Sequence, residues 1–355
     1  MSTGTALVGA APSIPGLTFR PATPDDWETM ARVRNAARAA DGLDEIISAE
    51  VMAAQYPPSD TFRLERDCVL ALVDGEVIAQ GFGSWTVRGG LRVGEVDGDV
   101  HPDYRRRGLG TALIRSAIAR LRAEAAADTT QEPRELRAWA VDEQLSALAL
   151  IEAEGFRPVR YGFEMRRPLT GSLPVHPLPA GLSLRPVVEA DHRAIFDADN
   201  EAFRDHWGSR EFDESDFQWQ FHGPDADPSL WVVAWDGDQV AGAVMNVIYR
   251  SENEALGIRR GWLDHVSVRR PWRRRGLARA MCALAFEVLR DAGMDEAWLG
   301  VDGTNPMGAL QLYEDLGFQV ARRWRAFGRP LDGPAPQGWV TIADAPDPAE
   351  TGGQP

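Results

Sequence analysis

Apolar and polar residues follow two periods along this chain, alternation for strands and three-to-four spacing for helices. Gly16-Leu17-Thr18-Phe19-Arg20-Pro21 reads as a short strand closed by proline, and a helix follows from Asp25-Asp26-Trp27-Glu28. Acidic residues in that first turn suit the helix dipole. Cys68 to Val73 and Glu76 to Ala79 read as two strands around Asp74-Gly75, a tight hairpin turn. A long strand is expected at Arg92–Val100, a helix over Thr111–Ala126 and a strand at Leu136–Val141.

The same order returns later. Gly181-Leu182-Ser183-Leu184-Arg185-Pro186 repeats the opening strand at an offset of 165 residues, with Glu189 and Asp191 leading the next helical run. Trp231 to Ala241, around Asp236-Gly237, repeats the hairpin at an offset of 162. Arg275-Gly276 repeats Arg107-Gly108 at 168, and Gly317-Phe318 repeats Gly155-Phe156 at 162. The exits match too, as Arg167-Pro168-Leu169 and Arg329-Pro330-Leu331. In the second copy the strand, helix and strand are expected at Gly261–Val268, Arg279–Ala292 and Ala297–Val301. Five matches in one order imply an internal duplication of a domain of about 150 residues. The expected boundaries are a disordered tail at 1–15, domains at 16–169 and 181–331, a Pro/Gly-rich linker at 170–180 and a tail at 332–355. Each copy reads as a mixed, twisted sheet flanked by helices, an α/β class.

Composition narrows the chemistry. The sequence has 355 residues and a formal net charge of −15, which argues against nucleic acid or an anionic membrane as partner. It contains no lysine, so all 38 cationic side chains counted as Lys+Arg are arginine. That removes Schiff-base, pyridoxal-phosphate and P-loop chemistries that need a lysine amine. Cys68 and Cys282 stand alone in apolar surroundings and read as buried thiols, with no metal or redox motif. No signal segment or long apolar run is evident, so a cytoplasmic protein is expected.

Two turns carry candidate chemistry. Arg105-Arg106-Arg107-Gly108-Leu109-Gly110 and Arg273-Arg274-Arg275-Gly276-Leu277-Ala278 each follow a strand and open a helix. Free backbone N–H groups and the positive end of the dipole make such a turn a seat for a pyrophosphate. A solvated surface turn is the alternative reading.

Together with a later Asn305…Tyr313…Gly317-Phe318 run, the spacing resembles the GNAT superfamily of acyl-CoA-dependent N-acetyltransferases, in two tandem copies. The tandem arrangement is similar to that of mycothiol synthases, which acetylate a cysteinyl amine. The resemblance implies acetyl-CoA as donor, no metal, and a small amine acceptor on a monomer or homodimer. It implies CoA contacts at Val266, Ser267 and Val268, at the turn Arg273–Ala278, at Asn305, and in the first copy at Val100 and Arg105–Gly110. Tyr313 stands where the family places the general acid for the departing thiolate, although helical spacing with Ala309, Leu312 and Leu316 also permits a packing role. Its counterpart in the first copy is Ile151, which has no proton to give, and Asn305 maps to Glu143. Catalysis is therefore expected in the second copy, with the first a degenerate or structural binder. Asp264 and His265 both precede the second turn as candidate bases; strand alternation lets only one of them face a cleft. Phe203, His206 and Trp207 fall in the segment that lines the acceptor side in this family. A non-catalytic acyl-CoA sensor is the reading from another class.

Overall fold

The computed structural model describes residues 8–59, 61–88, 91–128, 133–204, 206–207, 209–304 and 308–332. Two compact units emerge, one holding residues up to Tyr161 together with those from Trp324 onward, the other Gly162–Arg323. The first unit contains β1 (Leu17–Pro21), α1 (Trp27–Ala40), α2 (Ala49–Gln55), α3 (Leu64–Asp67), β2 (Cys68–Val73), β3 (Glu76–Arg88), β4 (Leu91–Val100), α4 (Leu109–Ala127), β5 (Arg134–Val141) and α5 (Leu145–Ala153). Then β6 (Arg157–Pro168) leads into the second unit, with β7 (Ser183–Leu184), α6 (His192–Phe203), α7 (Glu214–His222), β8 (Val232–Asp236), β9 (Gln239–Val247), α8 (Arg250–Leu256), β10 (Arg260–Val268), α9 (Leu277–Asp291), β11 (Glu296–Asp302) and α10 (Ala309–Asp315). The last strand is β12 (Gln319–Pro330).

Within each unit an antiparallel run of strands meets one parallel pair, β4 with β5 and β10 with β11. The final strands are exchanged. β6 leaves the first copy to pair antiparallel with β11, and β12 returns from the second copy to pair antiparallel with β5. Boundaries drawn at 169 and 331 thus differ from the compact units, because local pattern cannot report which sheet a strand joins. Arg-Pro-Leu exits serve this exchange. Arg167 on β6 donates to the carbonyl of Leu316 just after α10, and its guanidinium lies 4.4 Å from the Phe286 ring centre. Arg329 on β12 does the same for Glu154 after α5 and lies 5.3 Å from Phe156. A cation at each helix C-terminus satisfies a carbonyl that the helix itself leaves unpaired.

Amphipathic helices cover the sheets as their spacing predicts. α9 buries Leu277, Ala280, Met281, Ala285, Phe286 and Leu289, and α6 buries Ile195, Phe196, Ala198 and Ala202. Gly242 on β9 is a close approach, since a Cβ there would stand 2.5 Å from the Ser267 carbonyl oxygen of β10. Of the tail expected at 1–15, residues 1–7 lie outside the described residues, and the chain is described from Val8. Val8 is 1% exposed and packs with Phe19, Ile78, Ala79 and Leu109. Burying a valine side chain contributes about 1.5 kcal/mol or more. The expected tail beyond Asp332 lies outside the described residues. Among the described residues no helix is long and apolar enough to cross a membrane, and no group of three His, Cys, Asp or Glu side chains could hold a metal ion.

Candidate active site

Strands β10 and β11 begin as neighbours, with Arg260–Trp262 against Glu296–Trp298, and then part. β10 runs on to Val268 paired with β9 alone among the described strands, so one edge of its backbone borders a gap. Val266, Ser267 and Val268 lie on that stretch, Ser267 buried and the two valines half-buried against the core.

At Asp264 the ladder slips. Leu263 pairs with Asn246 and His265 with the adjacent Met245, leaving Asp264 as the extra residue of a β-bulge. Bulges break alternation and re-aim side chains. The alternation that would have admitted only one of Asp264 and His265 therefore does not apply, and both line one cleft of about 130 Å³. The first unit differs here, because β4 pairs with β3 in unbroken register from Leu91 to Val100.

Helix α7 forms a wall of the cleft with Trp219 and Gln220, while Trp231 and Tyr249 add aromatic surface. The helix starts where it does because the Asp213 carboxylate accepts from the Ser215 and Asp216 N–H groups, and Asp216 accepts from the Asp213 N–H in return. This reciprocal cap stabilises the helix by about 1 kcal/mol.

His265 does not stand alone. Its Nδ1 lies 2.7 Å from Oδ2 of Asp199, a carboxylate on α6 that is 1% exposed. Its Nε2 lies 3.9 Å from the Asp264 carboxylate, whose side chain is 45% exposed. Phe203 and Phe212 pack on the ring at 4.9 and 6.0 Å. Burial disfavours the imidazolium, but the charge and hydrogen bond of Asp199, with Asp264 and Asp216 behind them, outweigh it and push the group up to about 9. His206 lies 4.4 Å from Phe203, and burial moves it the other way, below its ordinary value.

The two arginine-glycine turns share one geometry. Arg106 and Gly108 have φ of 62° and 85°, Arg274 and Gly276 have 61° and 81°. This left-handed pattern gathers successive N–H groups into a concavity that suits an anion. The first intrahelical bonds are Ala112 N–H to Gly108 O and Ala280 N–H to Gly276 O, so the N–H groups of Leu109, Gly110, Leu277 and Ala278 precede the ladder. Leu109 and Leu277 anchor the helices by burying their side chains. Arg105 and Arg273 brace the turns rather than reaching outward. Arg105 bonds the carbonyls of Val100 and Ala37 and the carboxylate of Asp41, and Arg273 bonds the carbonyls of Val268 and Ala202. Arg107 lies over Tyr104, Arg275 bonds the Ala180 carbonyl, and Arg106 and Arg274 are exposed.

Tyr313 sits on α10, 7% exposed, edge-on to Phe318 at 5.9 Å in the core of the second unit. Burial, and then the neighbouring Cys282, raise its hydroxyl well above the usual range, so it is protonated at neutral pH. Ile151 occupies the matching place in the first unit as a buried packing residue. Asn305 lies outside the described residues.

The sequence profile of the Acetyltransferase (GNAT) family matches residues 33–150 and 192–318, once in each unit. The chain belongs to the GNAT acetyltransferase family. A protein from Salinispora arenicola named mycothiol acetyltransferase is 31% identical over 309 residues, covering 85% of this chain and 90% of its own. A protein of the same name from Salinispora tropica is 35% identical over 230 residues, covering 64% and 69%. Among solved structures, a GCN5-related N-acetyltransferase from Sphaerobacter thermophilus superposes with TM-score 0.69 at 27% identity, covering 92% of this chain and 100% of that one. A tandem GNAT protein from the clavulanic acid biosynthesis pathway gives 0.65 at 19%, covering 90% and 100%, a likeness of fold.

As a GNAT protein the chain is an acetyl-CoA-dependent N-acetyltransferase, and the second unit fits that donor. The turn at Arg273–Ala278 offers its N–H groups, and a Cβ at Gly276 would meet nothing within 4 Å. Acetyl-CoA supplies a thioester; the chain must orient it, take a proton from the amine and return one to sulfur. Reading the sequence did not find Asp199. Its signal was present, a carboxylate on the stripe Ile195, Ala198, Asp199, Ala202 that otherwise faces the core.

Proposed function

We propose that the second unit transfers the acetyl group to the amine of a small molecule, and that this acceptor is the cysteinyl amine of a mycothiol precursor. The observation that supports it most is the bulge at Asp264, which brings two proton-handling side chains to one cleft. In this reading Asp264 holds the acceptor's ammonium by charge, and neutral His265 takes its proton. With His265 at about 9, the imidazolium predominates at neutral pH, so this step draws on the minor neutral form and turnover should rise as pH approaches 9. Backbone N–H groups of Val266–Val268 at the open edge of β10 stabilise the oxyanion, and Tyr313 protonates the thiolate. The relatives named mycothiol acetyltransferase, matched over most of the chain, support this acceptor over others.

The first unit keeps the turn geometry but lacks the bulge and the tyrosine, so it serves as a binding or structural copy. The test is incubation with acetyl-CoA and the deacetylated mycothiol precursor, with the N-acetylated product followed by mass. Product with wild type and its loss in Tyr313→Phe support the reading. Absence of product with this acceptor, alongside turnover of another amine, overturns the choice of acceptor.

A further inference from the structure

We propose that Asp199 is a positioning residue of the acetyl-transfer site, holding the His265 ring through Nδ1 so that Nε2 is presented to the acceptor beside Asp264. The inference rests on the function proposed above for the second unit. Geometry carries it. Asp199 comes from α6 and His265 from β10, 66 positions apart in sequence, yet the two side chains meet at 2.7 Å. A carboxylate accepts only, so Nδ1 is the donor and the tautomer of the neutral ring is fixed, with its lone pair on Nε2. That is the nitrogen on the Asp264 side.

Oδ1 of Asp199 is buried and has no hydrogen-bond partner among the described residues. Leaving a buried carboxylate oxygen unmet costs about 1–3 kcal/mol. At the same repeat position of the first unit Arg34 of α1 bonds Asp97 and Asp99 of β4, and Gln80 donates to the same Asp99 oxygen. Arginine cannot titrate near neutrality; histidine can. The second unit has the titratable group, and there it lines a cleft.

The charged groups around His265 are few. Asp199 faces it from α6 and Asp264 from its own strand. Asp216 approaches from α7, already engaged by Arg210, and His206 lies beyond the end of α6. Removing Asp199 therefore removes the main hold on the ring, which the other carboxylates replace only in part.

The experiment is a nitrogen-15 NMR titration of His265 in the full chain, with kcat measured against pH in parallel. Wild type is expected to show protonated Nδ1 above the titration and a midpoint near 9. Asp199→Asn is expected to lower the midpoint by one unit or more. The acid limb of kcat should follow that shift, kcat should drop 10- to 100-fold and KM for acetyl-CoA should stay within twofold. Asp199→Glu should restore part of the loss. A wild-type midpoint at or below 6.5, a proton on Nε2, or a midpoint and limb unmoved by Asp199→Asn overturns the proposal. If Asp199→Asn fails to fold, the wild-type tautomer and midpoint still decide it. If no amine is acetylated, the acetyl-transfer reading fails, whereas the titration still judges the Asp199–His265 pair.

Discussion

Arg34 reaches Asp97 at 2.7 Å across the first unit, the same helix-to-strand link that Asp199 and His265 make in the second, with the signs of charge exchanged. The positions correspond through the repeat, at offsets of 165 for the helix and 168 for the strand end. One copy thus holds a permanent cation between two carboxylates, and the other a titratable ring between two carboxylates. The difference follows from a single residue type on each element, yet it separates a closed ion cluster from a group able to exchange a proton.

Replacing Arg34 by methionine should destabilise the first unit. Asp99 is buried, and burial alone would push its carboxyl up; Arg34 and Gln80 hold it below its ordinary range instead. Removing one partner of a buried ion cluster costs about 3–5 kcal/mol. A lowered carboxyl contributes stability that is present above its unfolded value and lost as pH falls through the folded one. Thermal melting should therefore show the full gap between Arg34→Met and wild type near pH 7, narrowing only below about pH 4 as Asp99 protonates in the folded protein. Equal gaps at both ends would contradict the role given to Asp99.

His265 predicts the opposite slope. Its folded value of about 9 lies above the ordinary 6.5, so its stabilising contribution is full below about 6.5 and gone above about 9. Melting temperatures of wild type and His265→Gln should differ most at pH 6 and converge by pH 10. A difference that grows toward alkaline pH would show that the imidazolium is not the favoured form.

Tyr313→Phe removes one oxygen from a ring that packs on Phe318 and leaves its volume in place. Stability should change by less than about 1.5 kcal/mol. Loss of a general acid should lower kcat about 100-fold or more, with KM for acetyl-CoA little altered. Steady-state kinetics on folded protein checks this, and a kcat within threefold of wild type would assign Tyr313 to packing alone.

Much of this was legible from the chain. The strand at Arg92–Val100 and the helix at Thr111–Ala126 match β4 and α4 to within two residues, and their second-copy partners do equally well. Periodicity and the duplication fix such elements because each buries a face that its own residues define. Two features escaped. The exchange of β6 and β12 depends on which sheet edge lies open, a property of the assembled units rather than of the strands' own residues. The bulge at Asp264 leaves no mark on the hydrophobic pattern, since Leu263 and Val266 read as ordinary strand positions on either side. Without the bulge, Asp264 and His265 had to be rivals, and Asp199 had no partner to point toward.

The second turn makes a prediction about donor binding. Gly276 has φ of 81°, in the left-handed region, and a Cβ there would meet no atom within 4 Å. Valine at this position is thus penalised by backbone conformation, and by bulk only where a ligand approaches. Forcing a branched residue into that region costs about 1–2 kcal/mol, and tilting the N–H groups of Leu277 and Ala278 weakens their hold on a pyrophosphate. KM for acetyl-CoA in Gly276→Val should rise about 10-fold, with a smaller change in kcat once the donor is saturating. Free CoA should weaken in parallel as a competitive inhibitor, because the contact lies at the phosphate end and not at the thioester. An unchanged inhibition constant for CoA, measured on the same variant, would show that the turn at Arg273–Ala278 does not carry the pyrophosphate.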